Sequence, residues 1–251
     1  MFKNQLLVLF ISFLSFNGFC QYAGMAPGGT GSMHGSGVTQ ALLNNSVGGI
    51  TDSYERLKVM TGIDQFQGSP YLEDKFQATE MFYEDEDQGR IYYRYNAYNE
   101  EIEIKNSTLA DEEPRSLNKD KAIAVMLDNK YPLSFSTFID AKNNTLNGYL
   151  ALLNEGDNFK LFRRVRVKFT EGQKAQNSFV SAIPNRFTHY IEYYYQPKGA
   201  NRIDEIPTKN KKLLKMLDEP FKAKLSKYLE ENELNIKEEA DLIKAFEFLN
   251  S

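Results

Sequence analysis

A chain of 251 residues with 41% hydrophobic and 13% aromatic side chains is long and apolar enough to bury a core, which excludes a disordered protein. Its net charge of −4 supplies no overall positive field for nucleic acid, since phosphate binding draws its affinity from clustered cations. One cysteine and two histidines exclude a disulfide framework and argue against a zinc site, which seldom accepts carboxylates alone.

The first twenty residues read as an export signal. Lys3 supplies the positive start, Leu6 to Phe16 is apolar apart from Ser12 and Ser15, and Gly18-Phe19-Cys20 has small residues at the two positions that a signal peptidase inspects. Cleavage is expected before Gln21. The apolar run falls short of the ~20 residues a membrane span needs, so no span is expected after cleavage. Lipid attachment at Cys20 fits poorly with Phe19 and Asn17 before it. A chain cleaved here has no cysteine and must be stabilised by its core alone.

Residues 21–37 include AGMAPGGTGSMHGSG, a Gly/Ser-rich stretch that reads as a flexible leader, with His34 incidental within it. Residues 38–67 have irregular apolar spacing that allows short helical turns. From 68 to 197 the pattern changes to short aromatic and β-branched runs divided by turn residues, the mark of antiparallel strands. Phe76 to Tyr83 is closed by an acidic turn, Glu84 to Gly89. Arg90 to Asn96 follows, then Glu101 to Lys105 with clean alternation. After a polar insert, Asn106 to Lys121, come Ala122 to Leu127, Ser134 to Asp140, Gly148 to Asn154, Phe159 to Phe169 and Phe187 to Tyr195. Their separators are rich in Asn, Asp and Gly, residues that tolerate positive φ.

Residues 208–251 switch to helical spacing: Leu213, Leu214 and Leu217, then Phe221, Leu225, Tyr228 and Leu229, then Leu242, Ile243, Phe246 and Leu249. Asn235 and Glu238 have the spacing of a capping box, and Pro220 suits a first helical turn. The predicted fold is α+β: an antiparallel β-meander curled into an open barrel or sandwich, followed by C-terminal helices packed on it.

The chemistry is sparse. His189 has no Gly-x-Ser-x-Gly elbow to serve, and Glu84 to Asp87 lacks the order of an EF-hand loop, so no catalytic, cofactor or metal residue is assigned. Glu101 and Glu103 read as a solvated strand face, as does Glu192. Arg163, Arg164, Arg166 and Lys168 read as a basic stripe opposite Val165, Val167 and Phe169, and the lysines from Lys209 to Lys227 as a positive helix side. Tyr190, Tyr193, Tyr194 and Tyr195 must leave rings facing solvent or a partner. Arg164, Arg166, Lys168, Tyr190, Tyr193, Tyr194 and Tyr195 are therefore the candidate binding surface.

Tyr92-Tyr93-Arg94-Tyr95-Asn96 leading into Glu101-Ile102-Glu103, the Gly148-Tyr149-Leu150 hairpin, and the lysine-rich tail ending Asp241-Leu242-Ile243 and Asn250 resemble uncharacterised exported proteins of Gram-negative bacteria. The similarity runs from about Gly68 to the end. It implies an envelope location, periplasmic, at the outer membrane or extracellular, and carries over no site residues. The expected function is non-enzymatic binding of another envelope protein or a surface polysaccharide. A carboxylate-dependent hydrolase and a carrier of a small apolar ligand are the alternatives. An outer-membrane barrel is disfavoured, because Glu101 to Lys105 is shorter than the ~9 to 11 residues of a spanning strand.

Overall fold

The computed structural model describes residues 42–43 and 52–251. The export signal expected at 1–20 and the leader expected at 21–37 lie outside the described residues. The first helix, α1 (Ser53–Thr61), is capped at both ends. The Asp52 carboxylate accepts the Tyr54 N–H at 2.8 Å, and Gly62 takes the left-handed conformation at φ 63.

One sheet holds eleven strands: β1 (Phe66–Gln67), β2 (Gln77–Tyr83), β3 (Glu86–Asn96), β4 (Glu101–Lys105), β5 (Arg115–Ser116), β6 (Ile123–Leu127), β7 (Tyr131–Ile139), β8 (Thr145–Glu155), β9 (Phe159–Thr170), β10 (Asn185–Pro197) and β11 (Asp204–Glu205). Three helices follow, α2 (Asn210–Leu214), α3 (Glu219–Glu231) and α4 (Glu239–Asn250). The architecture is thus α+β, mostly sheet with helices at the end.

The sheet departs from a simple meander in two ways. Its order is β1-β10-β9-β8-β7-β6-β2-β3-β4-β5, so β2 lies between β3 and β6. The polar insert after Lys105 carries the chain back past β2, and the run from β6 to β10 then grows from the opposite side. Two contacts are also parallel, β1 with β10 and β11 with β7. Because β11 also pairs with β10, strands β7 to β11 form a closed ring of pairings, and the sheet is mixed.

Turn chemistry explains the hairpins. Glu84 and Asp85 both have positive φ (49° and 66°), giving a two-residue loop, so the acidic turn is shorter than expected and Glu86 to Gly89 already belong to β3. The extra residue is absorbed by a register shift opposite Met81 and Phe82. Asp128 and Asn129 (φ 55° and 51°) turn β6 into β7, and Asn143 (φ 65°) turns β7 into β8.

Strand alternation divides the core. The odd-numbered side chains of β9 and β10 meet two partners. Phe159, Leu161 and Tyr195 pack on Leu213, Leu225, Leu242 and Phe246 of the helices, whereas Val165, Val167 and Phe187 pack with Leu57 of α1 and with β3, β4 and β6. On the even side, Phe138, Leu150, Phe162 and Tyr194 form a smaller cluster on the ring of β7 to β10. Asn250 ties helix to sheet. Its Oδ1 accepts the N–H groups of Asn158 and Phe159, and its Nδ2 donates to Asn154 Oδ1 and the Phe159 carbonyl. Pro220 stands in the first turn of α3. At α4 the cap differs from expectation: Glu238 makes no side-chain cap, and the Asp241 carboxylate instead accepts the Asn235 N–H at 3.0 Å.

Candidate functional site

The least ordinary geometry lies where β8 and β9 part. Their pairing ends at Ala151 and Arg163, although both strands continue. The turn between β3 and β4 fills the gap. The Ala97 carbonyl accepts the Val167 N–H at 3.2 Å, and the Glu100 carboxylate accepts the Tyr149 N–H at 3.1 Å. A side chain thus replaces a strand's backbone acceptor, and Glu100 adopts φ 55° to reach it.

The same carboxylate anchors a buried ionic cluster. Arg164, 7% exposed, places Nη2 2.5 Å from Glu100 Oε1 and Nη1 3.1 Å from Glu192 Oε2. Arg166 Nε donates to Glu192 Oε1 at 3.0 Å, and the Tyr194 hydroxyl donates to Glu192 Oε2 at 3.1 Å. The Arg164 guanidinium also lies 4.9 Å over the Phe138 ring. Burial works against the charge on Arg164, but the Glu100 carboxylate beside it outweighs this and holds its pKa above the ordinary value. Nearby, burial pushes the Glu205 carboxyl above the usual glutamate range, opposed by the Ala141 N–H it accepts and assisted by Glu192 and Asp140.

A second buried pair joins β3 to β4. Glu103 is 0% exposed and accepts both Nε (3.1 Å) and Nη2 (2.6 Å) of Arg94, its cross-strand partner. The Arg94 guanidinium lies over two aromatic rings, 3.8 Å from the centre of Tyr71 and 4.6 Å from that of Phe76. Burial raises the Glu103 carboxyl above its usual range, and the Arg94 hydrogen bonds pull it part of the way back. Glu103 is therefore not on a solvated face. The aromatic cover over its partner strand encloses it.

These clusters correct the sequence-read surface. Arg164 is an interior ion, and its acidic partners arrive from β10 and the β3–β4 turn. Arg163 shares the face of Val165 rather than the stripe, and its Nη1 lies 2.9 Å from Glu239 of α4. Tyr194 and Tyr195 are buried in the ring cluster and the helix interface respectively, and Tyr193 is half-buried with its hydroxyl donating to Glu239 at 3.0 Å. Arg166 is partly exposed, and Lys168 is exposed. Tyr190 is 41% exposed beneath the Arg166 guanidinium, which lies 4.8 Å from its ring. Lys168, Arg166 and Tyr190 thus remain together on one face.

Sequence reading missed Ile191, which is 56% exposed. Alternation places it with Phe187 and Tyr195 and so predicts burial. However, the helices cover only the Tyr193–Tyr195 end of that face, while Tyr54, Phe66, Tyr98 and Phe169 cover only Phe187. The β10 edge is open at the same place. Asn185 N–H donates to Gln65 and Ile206 N–H to the Tyr193 carbonyl, so odd residues of β10 direct their backbone groups away from β9. Between these contacts, neither β1 nor β11 reaches the backbone of His189 or Ile191.

His189 Nε2 lies 2.8 Å from the Ser69 carbonyl, an acceptor only, so this nitrogen carries the proton. The Ser69 hydroxyl donates instead to Asp74. Among the described residues, no group of His, Cys, Asp or Glu is arranged to hold a metal ion, and no helix is long and apolar enough to cross a membrane. No family model matches the chain, and neither a curated protein nor a solved structure matches it.

Proposed function

We propose that this is an exported, non-enzymatic envelope protein whose β-domain binds another envelope protein or a surface polymer at the β10 edge, through Ile191 on one face and Tyr190, Arg166 and Lys168 on the other. The sheet is read here as an open barrel whose uncovered β10 edge, between β1 and β11, is the contact surface. One observation carries the reading: an apolar and an aromatic side chain stand exposed on a strand edge whose backbone groups have no strand partner. Such an edge invites association unless something covers it. The signal-like first twenty residues support export, to the periplasm, the outer-membrane surface or the exterior.

The hydrolase reading draws less support. Acid/base catalysis needs carboxylates facing a substrate, whereas Glu100 and Glu192 are engaged by Arg164 and Glu103 by Arg94. The carrier reading needs an apolar hollow, and the even face is filled by Phe138, Leu150, Phe162 and Tyr194.

The test is capture from fractionated native cells by crosslinking, comparing the natural protein with a Tyr190→Ser, Ile191→Lys variant. Recovery of one envelope component with the natural protein and its loss with the variant supports the reading. Equal recovery with both would place the contact elsewhere. Recovery of the natural protein alone would remove the binding function.

A further inference from the structure

A second open edge lies on β7, and it is recessed rather than exposed. On the side away from β8, β6 pairs with β7 only from Tyr131 to Ser134, and β11 joins at Ile139. The Ile139 N–H donates to the Ile203 carbonyl at 2.8 Å, which fixes the direction of the odd residues. Tyr149, opposite Phe135 in the register, sends its own N–H the other way to Glu100, as a pair not hydrogen-bonded to each other must. Phe135 and Thr137 therefore direct two N–H and two C=O groups into the interval between β6 and β11. Among the described residues none of these four groups has a partner.

That interval is a cleft of about 510 Å³, walled by Ser134 to Ile139 on one side and by Gln196 and Asn201 to Ile203 on the other. Lys121 stands at its β6 end and forms no ion pair among the described residues, while Arg202 stands at its β11 end. We infer that this cleft takes a short extended peptide segment of a partner, added to β7 as the missing strand between β6 and β11, with an acidic side chain meeting Lys121. The inference goes beyond the β9–β10 surface and shares no residue with it. Strand addition gains its affinity from main-chain bonds and its selectivity from what stands at the ends of the groove. Recessing the edge admits one peptide while excluding the flat edge of another sheet.

The probe is a displayed library of random extended heptapeptides selected against the full exported chain. Selected peptides are expected to carry Asp or Glu near one end and to slow hydrogen exchange at the Phe135 and Thr137 amides. Thr137→Pro should abolish their binding, because proline removes a donor that points into the cleft while the β7–β8 ladder uses the even residues of β7. Lys121→Glu should remove the acidic preference. A Thr137→Val variant, which keeps the N–H, should bind as the natural chain does and controls for the lost hydroxyl. Peptides that leave those two amides unprotected, that bind Thr137→Pro unchanged, or that show no acidic preference would overturn the inference, as would failure to select any. None of these outcomes bears on capture through Ile191, which is read with β7 unaltered.

Discussion

The Glu100 carboxylate occupies the space a side chain on Gly148 would need: a Cβ there would lie 2.4 Å from Oε2 and 3.0 Å from Cδ. Glycine is required here by close approach, since this oxygen also accepts the Tyr149 N–H and its carboxylate pairs with Arg164. Gly148→Ala is expected to displace the carboxylate and lower stability by about 1–3 kcal/mol. The Glu100→Ala, Gly148→Ala double variant should lose less than the sum of the singles, because Glu100→Ala removes the carboxylate that the methyl added at position 148 collides with. Urea unfolding of all four proteins measures this. Strict additivity would mean that the two residues do not compete for the space.

Arg94 and Glu103 form a pair whose halves are unequal in consequence. Arg94→Met would leave a carboxylate enclosed without its cation, at an expected cost of about 3–5 kcal/mol near neutral pH. Glu103 also imposes a pH dependence. Its pKa is raised in the folded state, so across the interval from its ordinary value up to the folded value the folded chain holds more proton than the unfolded one. Its contribution is therefore most favourable below that interval and falls as pH rises through it. Glu205 acts with the same sign. Glu103→Gln should flatten the stability profile over this interval relative to the natural chain, by denaturant titration at several pH values. An unchanged slope would show that the carboxyl titrates normally.

Asn250 binds α4 to the β8–β9 turn with four hydrogen bonds, and Gly156 leaves room for it, since a Cβ there would lie 2.3 Å from Asn250 Cγ. Asn250→Ala is expected to cost about 2–4 kcal/mol, at roughly 0.5–1 kcal/mol net for each of the four bonds lost. Amide exchange should rise at Asn158 and Phe159, which lose their acceptor. Unchanged protection there would mean that the helix is held by its apolar face alone.

Local chemistry was legible in the sequence, and partnership was not. Alternation and turn residues located the long strands from β2 to β10, because each is bounded by Asn, Asp or Gly and carries an apolar face. The two-residue strands β1, β5 and β11 have no periodicity to read. Alternation also misplaced individual charges. Arg164 reads as a solvated cation until Glu100 and Glu192 are brought to it, and nothing at positions 64 and 28 residues away announces that. Ile191 shows the opposite error. Its parity predicts burial, but cover depends on how far the helices and α1 extend along β10, which no periodicity in β10 encodes.

A photo-activated crosslinking residue at position 191, introduced into the protein in native cells, reads the contact at Ile191 itself. The control carries the same group at Lys227, whose side chain is 75% exposed on α3. One discrete crosslinked envelope partner is expected from position 191 and none from position 227. No adduct at 191, or the same adducts from both positions, would mean that Ile191 is not a contact.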